Sequence, residues 1–257
     1  MKDAALKPMP LWSALLFFGI PSLVSTLGVY VTLPALERAG APLFWNYLLS
    51  MVSPMVMMLV ASFVAYRLEG RPLTWAGVRD RFRLAPIRGV DRWWTLALAL
   101  FTPLSYLLLA PTAGWLASFP FFSPPEHVPA MVDPRVVQSL PPAGYLGVPL
   151  PGNWWLLGVH AAILFFNIVG EELWWRGVIL PRQELAHGRW TWVVHGLLWT
   201  AFHQFWKWNL LILLPTCLAL SYVVSRRKNT TIGLIGHAAQ NLLGFIPLVW
   251  GIVETAA

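Results

Sequence analysis

Glu171, Glu172 and Arg176 lie inside an apolar run, 154–180, that is long enough to cross a bilayer. Charge at that depth is costly, so a chain that keeps three such side chains there must pair them or use them. Glu172 and Arg176 stand four apart, acid first, and on a helix they share a face in the favourable order. That pairing accounts for one carboxylate. Glu171 points about 100° away from Glu172 on the same helix and is left over. It is the first candidate for chemistry.

Composition decides the solvent. Of 257 residues, 57% are hydrophobic and only 11% are charged, against about 25% charged in a soluble globular chain. The expected fold is all-α: a polytopic transmembrane helix bundle forming one membrane domain over 1–257, embedded in a lipid bilayer. A net charge of +7 raises nucleic acid as a partner. The bases, however, cluster between apolar runs rather than on one amphipathic face, which is a topology signal, and no nucleic acid is expected. The single cysteine, Cys217, lies in a hydrophobic run, which rules out an intrachain disulfide and argues against a Cys-based metal site. The apolar stretch after residue 10 is too long for a signal-peptide core and reads as a retained first span.

About seven spans are predicted, at 11–36, 43–66, 93–118, 154–180, 190–206, 208–224 and 231–252. Between the second and third, residues 67–92 carry seven Arg against Glu69, Asp80 and Asp91. The positive-inside rule makes this a basic cytoplasmic loop and puts the N-terminus, with Lys2 and Lys7, on the same side. Residues 119–152 hold nine prolines around His127, Asp133 and Arg135, so they cannot form a continuous helix. They form a proline-rich outer loop, either a cap over the membrane face or a long ordered connection. Pro151, Gly152 and Asn153 start the fourth span and Pro181 stops it, which leaves Glu171 roughly 14 Å from the inner end. Two full spans hinged at Lys207, or one re-entrant pair, both fit 190–224. Met51, Met55, Met57 and Met58 read as packing or lipid contact.

Three predicted spans carry polar side chains at membrane depth. His160, Asn167 and Glu171 form one stripe on the fourth, with His160 an interfacial residue and Asn167 placed to orient Glu171 or line a water-filled cavity. His195, Trp199 and His203 recur at four-residue steps on the fifth, with Gln204 beside the last. By a simple depth count His203 lies about two turns further out than Glu171. His237 and Asn241 share a face of the last span, with Gln240 one turn from His237. Lipid offers these groups no partners. Glu171 with one histidine can deprotonate a water, and a second histidine with an asparagine can donate hydrogen bonds to a developing oxyanion. That is a set for hydrolysing an amide. Glu171, His203 and His237 are also possible zinc ligands by type, but no His-Glu-x-x-His pattern is present.

The order Glu171-Glu172-x-x-x-Arg176, Trp199-x-x-x-His203, His237-x-x-x-Asn241 resembles the three-motif pattern of the CPBP family. That family comprises the type II CAAX prenyl proteases and the bacteriocin-processing, or Abi, intramembrane proteases. The resemblance covers 163–245 as a catalytic core and implies a CAAX prenyl protease 2-like arrangement. It implies that Glu171 and His203 activate water, that His237 and Asn241 form the oxyanion hole, and that Glu172 and Arg176 support the site. Trp199 stands where the family usually has Phe and keeps an aromatic wall. The resemblance also implies a glutamic-type intramembrane endopeptidase with no cofactor, zinc dependence being the alternative.

The expected substrate is a membrane-anchored protein or peptide tail, and the expected address is a bacterial cytoplasmic (inner) membrane. Two other readings compete. One is a non-proteolytic immunity or regulatory protein of the same fold. The other is a polytopic transporter, against which stands the absence of an internal repeat. Oligomeric state is not legible.

Overall fold

The computed structural model describes residues 6–136 and 140–254. Lys2, used above to orient the N-terminus, lies outside the described residues, as do positions 137–139 of the proline-rich segment. In chain order the helices are α1 (Leu11–Arg38), α2 (Leu43–Leu68), α3 (Trp75–Arg81), α4 (Asp91–Leu109), α5 (Pro111–Ala117) and α6 (Trp155–Glu172). They continue as α7 (Leu180–His187), α8 (Thr191–Phe202), α9 (Leu210–Arg227), α10 (Thr230–Asn241) and α11 (Phe245–Val253). Five helical runs are long and apolar enough to cross a membrane: Leu11–Arg38, Leu43–Leu68, Asp91–Leu109, Trp155–Arg227 and Thr230–Val253.

The sequence expectation was about seven spans, and the difference lies in the fourth run. It holds 73 residues but is not one rod. The backbone turns at Gly188, with φ 52°, and again at Trp206, with φ −124° and ψ 53°. The two turns divide it into three segments. Among them, α8 has 12 residues, or about 18 Å of rise against a hydrocarbon core of about 30 Å. A seven-residue 3₁₀ segment, His203–Asn209, extends it. The tip of this hairpin meets the proline-rich segment, because Lys207 Nζ lies 4.8 Å from the centre of the Phe121 ring. The third expected span is also interrupted, between α4 and Pro111 of α5.

Burial is inverted relative to a soluble protein. Leu100, Leu108 and Ile246 are more than 60% exposed, while Ser25, Ser62, Thr102 and Ser221 are wholly buried. Small polar residues at helix contacts and large apolar ones outside are the pattern of a bundle packed in lipid. At the centre, every residue from Gly170 to Pro181 is buried, so this turn of chain is surrounded by protein on all sides. α2 packs against it closely. A β-carbon on Gly170 would stand 2.5 Å from the Met55 carbonyl oxygen, so only glycine fits immediately before Glu171.

Pro181 does not stop the fourth helix, contrary to the sequence expectation. After Glu172 the chain widens into a π-helical stretch, Leu173–Ile179, and continues into α7 with Pro181 in its first turn. Proline has no N–H to offer the preceding turn, so a helix that runs through it leaves a carbonyl open. The carbonyl of Gly177, four residues earlier, accepts from Arg81 Nη1 instead, at 2.5 Å. Counted to the end of α7, the depths of Glu171 and His203 differ by about one turn, with Glu171 now the deeper. Glu171 lies 16 residues before the end of α7 and His203 lies 12 after the start of α8, roughly 24 and 18 Å.

The arginine-rich segment is a bracket more than a loop. Glu69 accepts from Arg81 Nε and Nη2, each at 2.6 Å, and from Arg182 Nη2 at 2.7 Å. Glu184 binds Arg83 and Lys228, and Asp91 binds Arg227 and Asn229. These pairs tie 67–92 to α7 and to the α9–α10 turn. At the opposite end, residues 119–152 form no long helix. A 3₁₀ turn, Ala130–Val132, precedes an antiparallel ribbon of β1 (Gly144–Tyr145) and β2 (Val148–Pro149). Leu146 and Gly147 both have positive φ, as a two-residue hairpin turn of this hand requires. His127 pairs with Glu37, and Asp133 with Arg135.

Burial pushes the Glu69 carboxyl up, but the hydrogen bonds and charges of Arg81 and Arg182 outweigh it and hold the group below its ordinary value. A depressed carboxylate contributes stability above its unfolded pKa, about 4.3, and loses it as pH falls through the folded value. The melting temperature of detergent-solubilised protein is therefore expected to drop below about pH 4, and Glu69→Gln should flatten that drop. An identical acid limb in the variant would show that the bracket is not what acid releases.

Candidate active site

The two adjacent carboxylates have different partners. Glu172 is fully buried, and its Oε1 accepts from Arg176 Nη1 at 2.9 Å and faces His237 Nδ1 at 3.0 Å. Arg176, also fully buried, lays its guanidinium carbon 3.6 Å from the centre of the Trp199 ring. α10 approaches this pair at Gly233, where a β-carbon would meet Glu172 Oε2 at 2.5 Å. Glu171 is 1% exposed and has no cation on its carboxylate. Three neutral N–H groups serve it: Asn167 Nδ2 on Oε1 at 2.9 Å, and Trp175 Nε1 and Trp199 Nε1 on Oε2 at 3.2 and 2.8 Å.

Two histidines have one ring nitrogen committed. His203 Nδ1 lies 2.8 Å from the Trp199 carbonyl. A carbonyl cannot donate, so Nδ1 carries the hydrogen and Nε2 keeps its lone pair. His237 Nδ1 faces the Glu172 carboxylate and carries a hydrogen by the same logic. Asn241 Nδ2 donates to the His237 carbonyl at 3.1 Å, which leaves its second amide hydrogen.

Glu171, His203, His237, Asn241 and Asn167 all line a single cavity of about 500 Å³. Glu172 and Arg176 lie behind it and are not part of the lining. The other wall comes largely from the first half of the chain and the proline-rich segment: Tyr47, Met51, Met55, Tyr106, Met131 and Tyr145. Met51 and Met55, expected to pack or meet lipid, are buried in the hydrophobic core and also line this space. His160 lines it too, hydrogen-bonded through Nδ1 to Tyr145 OH at 2.8 Å. His195, the first of the expected four-step set, is not part of the lining. It is fully buried beside Gln183, whose Oε1 lies 2.6 Å from Nδ1. Gln204 bonds Ser22.

Sequence reading missed Trp175 and the donor role of Trp199. The signal for Trp175 was present, since it stands four after Glu171 as Arg176 does after Glu172. The far wall of the cavity had no motif to find it by. As for metal, no group of three His, Cys, Asp or Glu among the described residues is placed to hold an ion.

Residues 153–243 match the family model described as Type II CAAX prenyl endopeptidase Rce1-like. That stretch is similar to the CAAX protease family. The matched part, about a third of the chain, contains Asn167, Glu171, Glu172, Trp175, Arg176, Trp199, His203, His237 and Asn241. It implies protease activity of the CAAX type in general, and with the apolar helices it makes the protein an integral membrane protein. No curated protein and no solved structure matches the chain.

The Glu172–Arg176 pair should act through stability. Removing one partner of a buried pair strands the other charge and costs about 3–5 kcal/mol. Arg176→Ala should therefore lower the melting temperature and the amount of protein in the membrane. Gly233→Ala should do the same more mildly by displacing the Glu172 carboxylate. Wild-type melting of Arg176→Ala would place Arg176 outside the structural pair.

Proposed function

We propose that this protein is an intramembrane endopeptidase that hydrolyses a peptide bond in a membrane-anchored protein or peptide tail. The observation that carries the reading is the convergence of Glu171, His203, His237 and Asn241 from three helices on one cavity. The Glu171 carboxylate keeps a lone pair on Oε1 beside Asn167, and His203 keeps Nε2. A water between them loses a proton to Glu171 as its oxygen attacks the scissile carbonyl carbon. The resulting oxyanion accepts from the free Asn241 amide hydrogen, with His237 beside it. Collapse breaks the C–N bond, and the proton held by Glu171 or His203 passes to the leaving nitrogen. The products are a carboxylic acid and an amine, and no atom is left over.

The arginine-rich end bears the positive-inside signal, so we assign it to the cytoplasmic face of a bacterial inner membrane. Purified protein in detergent is expected to cleave a co-expressed membrane-tail substrate. Glu171→Gln should abolish cleavage, a loss of at least 100-fold on the scale of general-base catalysis, with unchanged melting. A Gln variant that cleaves like wild type would remove Glu171 from the mechanism.

The same preparation tests the glutamic-type assignment. Activity should persist once metal has been stripped far below one equivalent. Activity that tracks zinc content would reassign Glu171, His203 and His237 as ligands.

A further inference from the structure

The donors that α10 presents to the cavity are held in different ways. His237 has committed Nδ1, and its Nε2 donates only from the doubly protonated ring. Asn241 has given one amide hydrogen to its own helix. Gln240, one residue earlier on α10, is held differently. Its Oε1 accepts from Thr216 Oγ1 on α9 at 2.8 Å, and Thr216 is 2% exposed. With the oxygen fixed by a buried hydroxyl, the end of Gln240 left for the cavity it lines is Nε2, with two hydrogens.

We propose that Gln240 is a substrate-binding residue whose Nε2 donates to a main-chain carbonyl of the bound peptide, beside the carbonyl that is cut. The inference rests on reading this cavity as the peptide site. Gln240 and Asn241 are about 100° apart around the helix and flank the direction of His237, so the two amides address separate points. An extended peptide advances about 3.3 Å per residue and brings successive carbonyls to such points. A helical segment cannot answer, because its carbonyls are already taken by its own N–H groups. The ligand class is thus an apolar segment that is unwound, or already extended, where it crosses the cavity.

The test measures binding, so its outcome does not depend on Glu171 being the base. The probe is a short capped peptide of alanine, leucine and phenylalanine with a fluorescent label. Anisotropy is read in the cold, before turnover, on the full chain in detergent. Gln240→Met keeps the length and removes the donors, and should weaken binding on the order of 10-fold. Thr216→Val frees the amide and should weaken it by less. A thioamide, a poorer acceptor, placed at one carbonyl in turn should weaken wild-type binding at one position and add nothing in Gln240→Met. Equal affinity of Gln240→Met and wild type, or a thioamide penalty the same in both at every position, overturns the proposal. Should Gln240→Met fail to fold, a wild-type thioamide scan with no position-specific loss overturns it too. Cleavage by Glu171→Gln would instead count against the proposed base and leave the binding result standing.

Discussion

The structure depends on one constraint, which is that two adjacent carboxylates sit where lipid can solvate neither. Each unsatisfied charge in such a place costs several kcal/mol, and the chain surrounds the pair with protein on every side. Gly170 lets α2 close in before them, and Gly233 lets α10 reach Glu172. The unbroken burial from Gly170 to Pro181 follows. The widened turn at Leu173–Ile179 belongs to the same solution. Interruptions of this kind gather at functional sites, and here one faces Trp174, Trp175 and Arg176 inward together.

The bracket at the arginine-rich end holds this central segment from below. Arg81 caps the Gly177 carbonyl and simultaneously grips Glu69, and Arg182 grips Glu69 from the far side of Pro181. Positive-inside arginines are usually read as topology marks alone. Several of these are also structural, because Glu69, Asp91 and Glu184 hold them across that end.

Much of the site was legible in the sequence because charge in an apolar run has so few explanations. The Glu172–Arg176 spacing, the Asn167–Glu171 spacing and the three-helix origin of the set needed only helical geometry. What was not legible depended on the backbone or on distant chain. Pro181 looked like a stop because local propensity has no knowledge of Arg81, 100 residues earlier. His195 looked like a partner of His203 because a four-step repeat ignores the turn at His203 and the neighbouring Gln183. The cavity wall of Tyr47, Met51, Met55 and Tyr145 carries no pattern, since apolar lining and apolar packing look alike in one dimension.

The two carboxylates are one residue apart and yet chemically unlike, and Trp199 separates them. Glu172 meets Arg176 directly, and its charge is cancelled by a cation. Among the described residues Glu171 accepts from neutral N–H groups, which stabilise an anion without cancelling its charge. Arg176 is nevertheless close, and its field reaches Glu171 through the indole: guanidinium on the ring face, ring N–H on the carboxylate. A cation over the face draws density from the ring and strengthens the donor at its edge. Phenylalanine at this position would keep the wall and the cation contact but lose the donor. Trp199 therefore shapes the surroundings of Glu171 as well as the pocket. One buried arginine then serves both acids, neutralising one through a salt bridge and steadying the other through an aromatic ring.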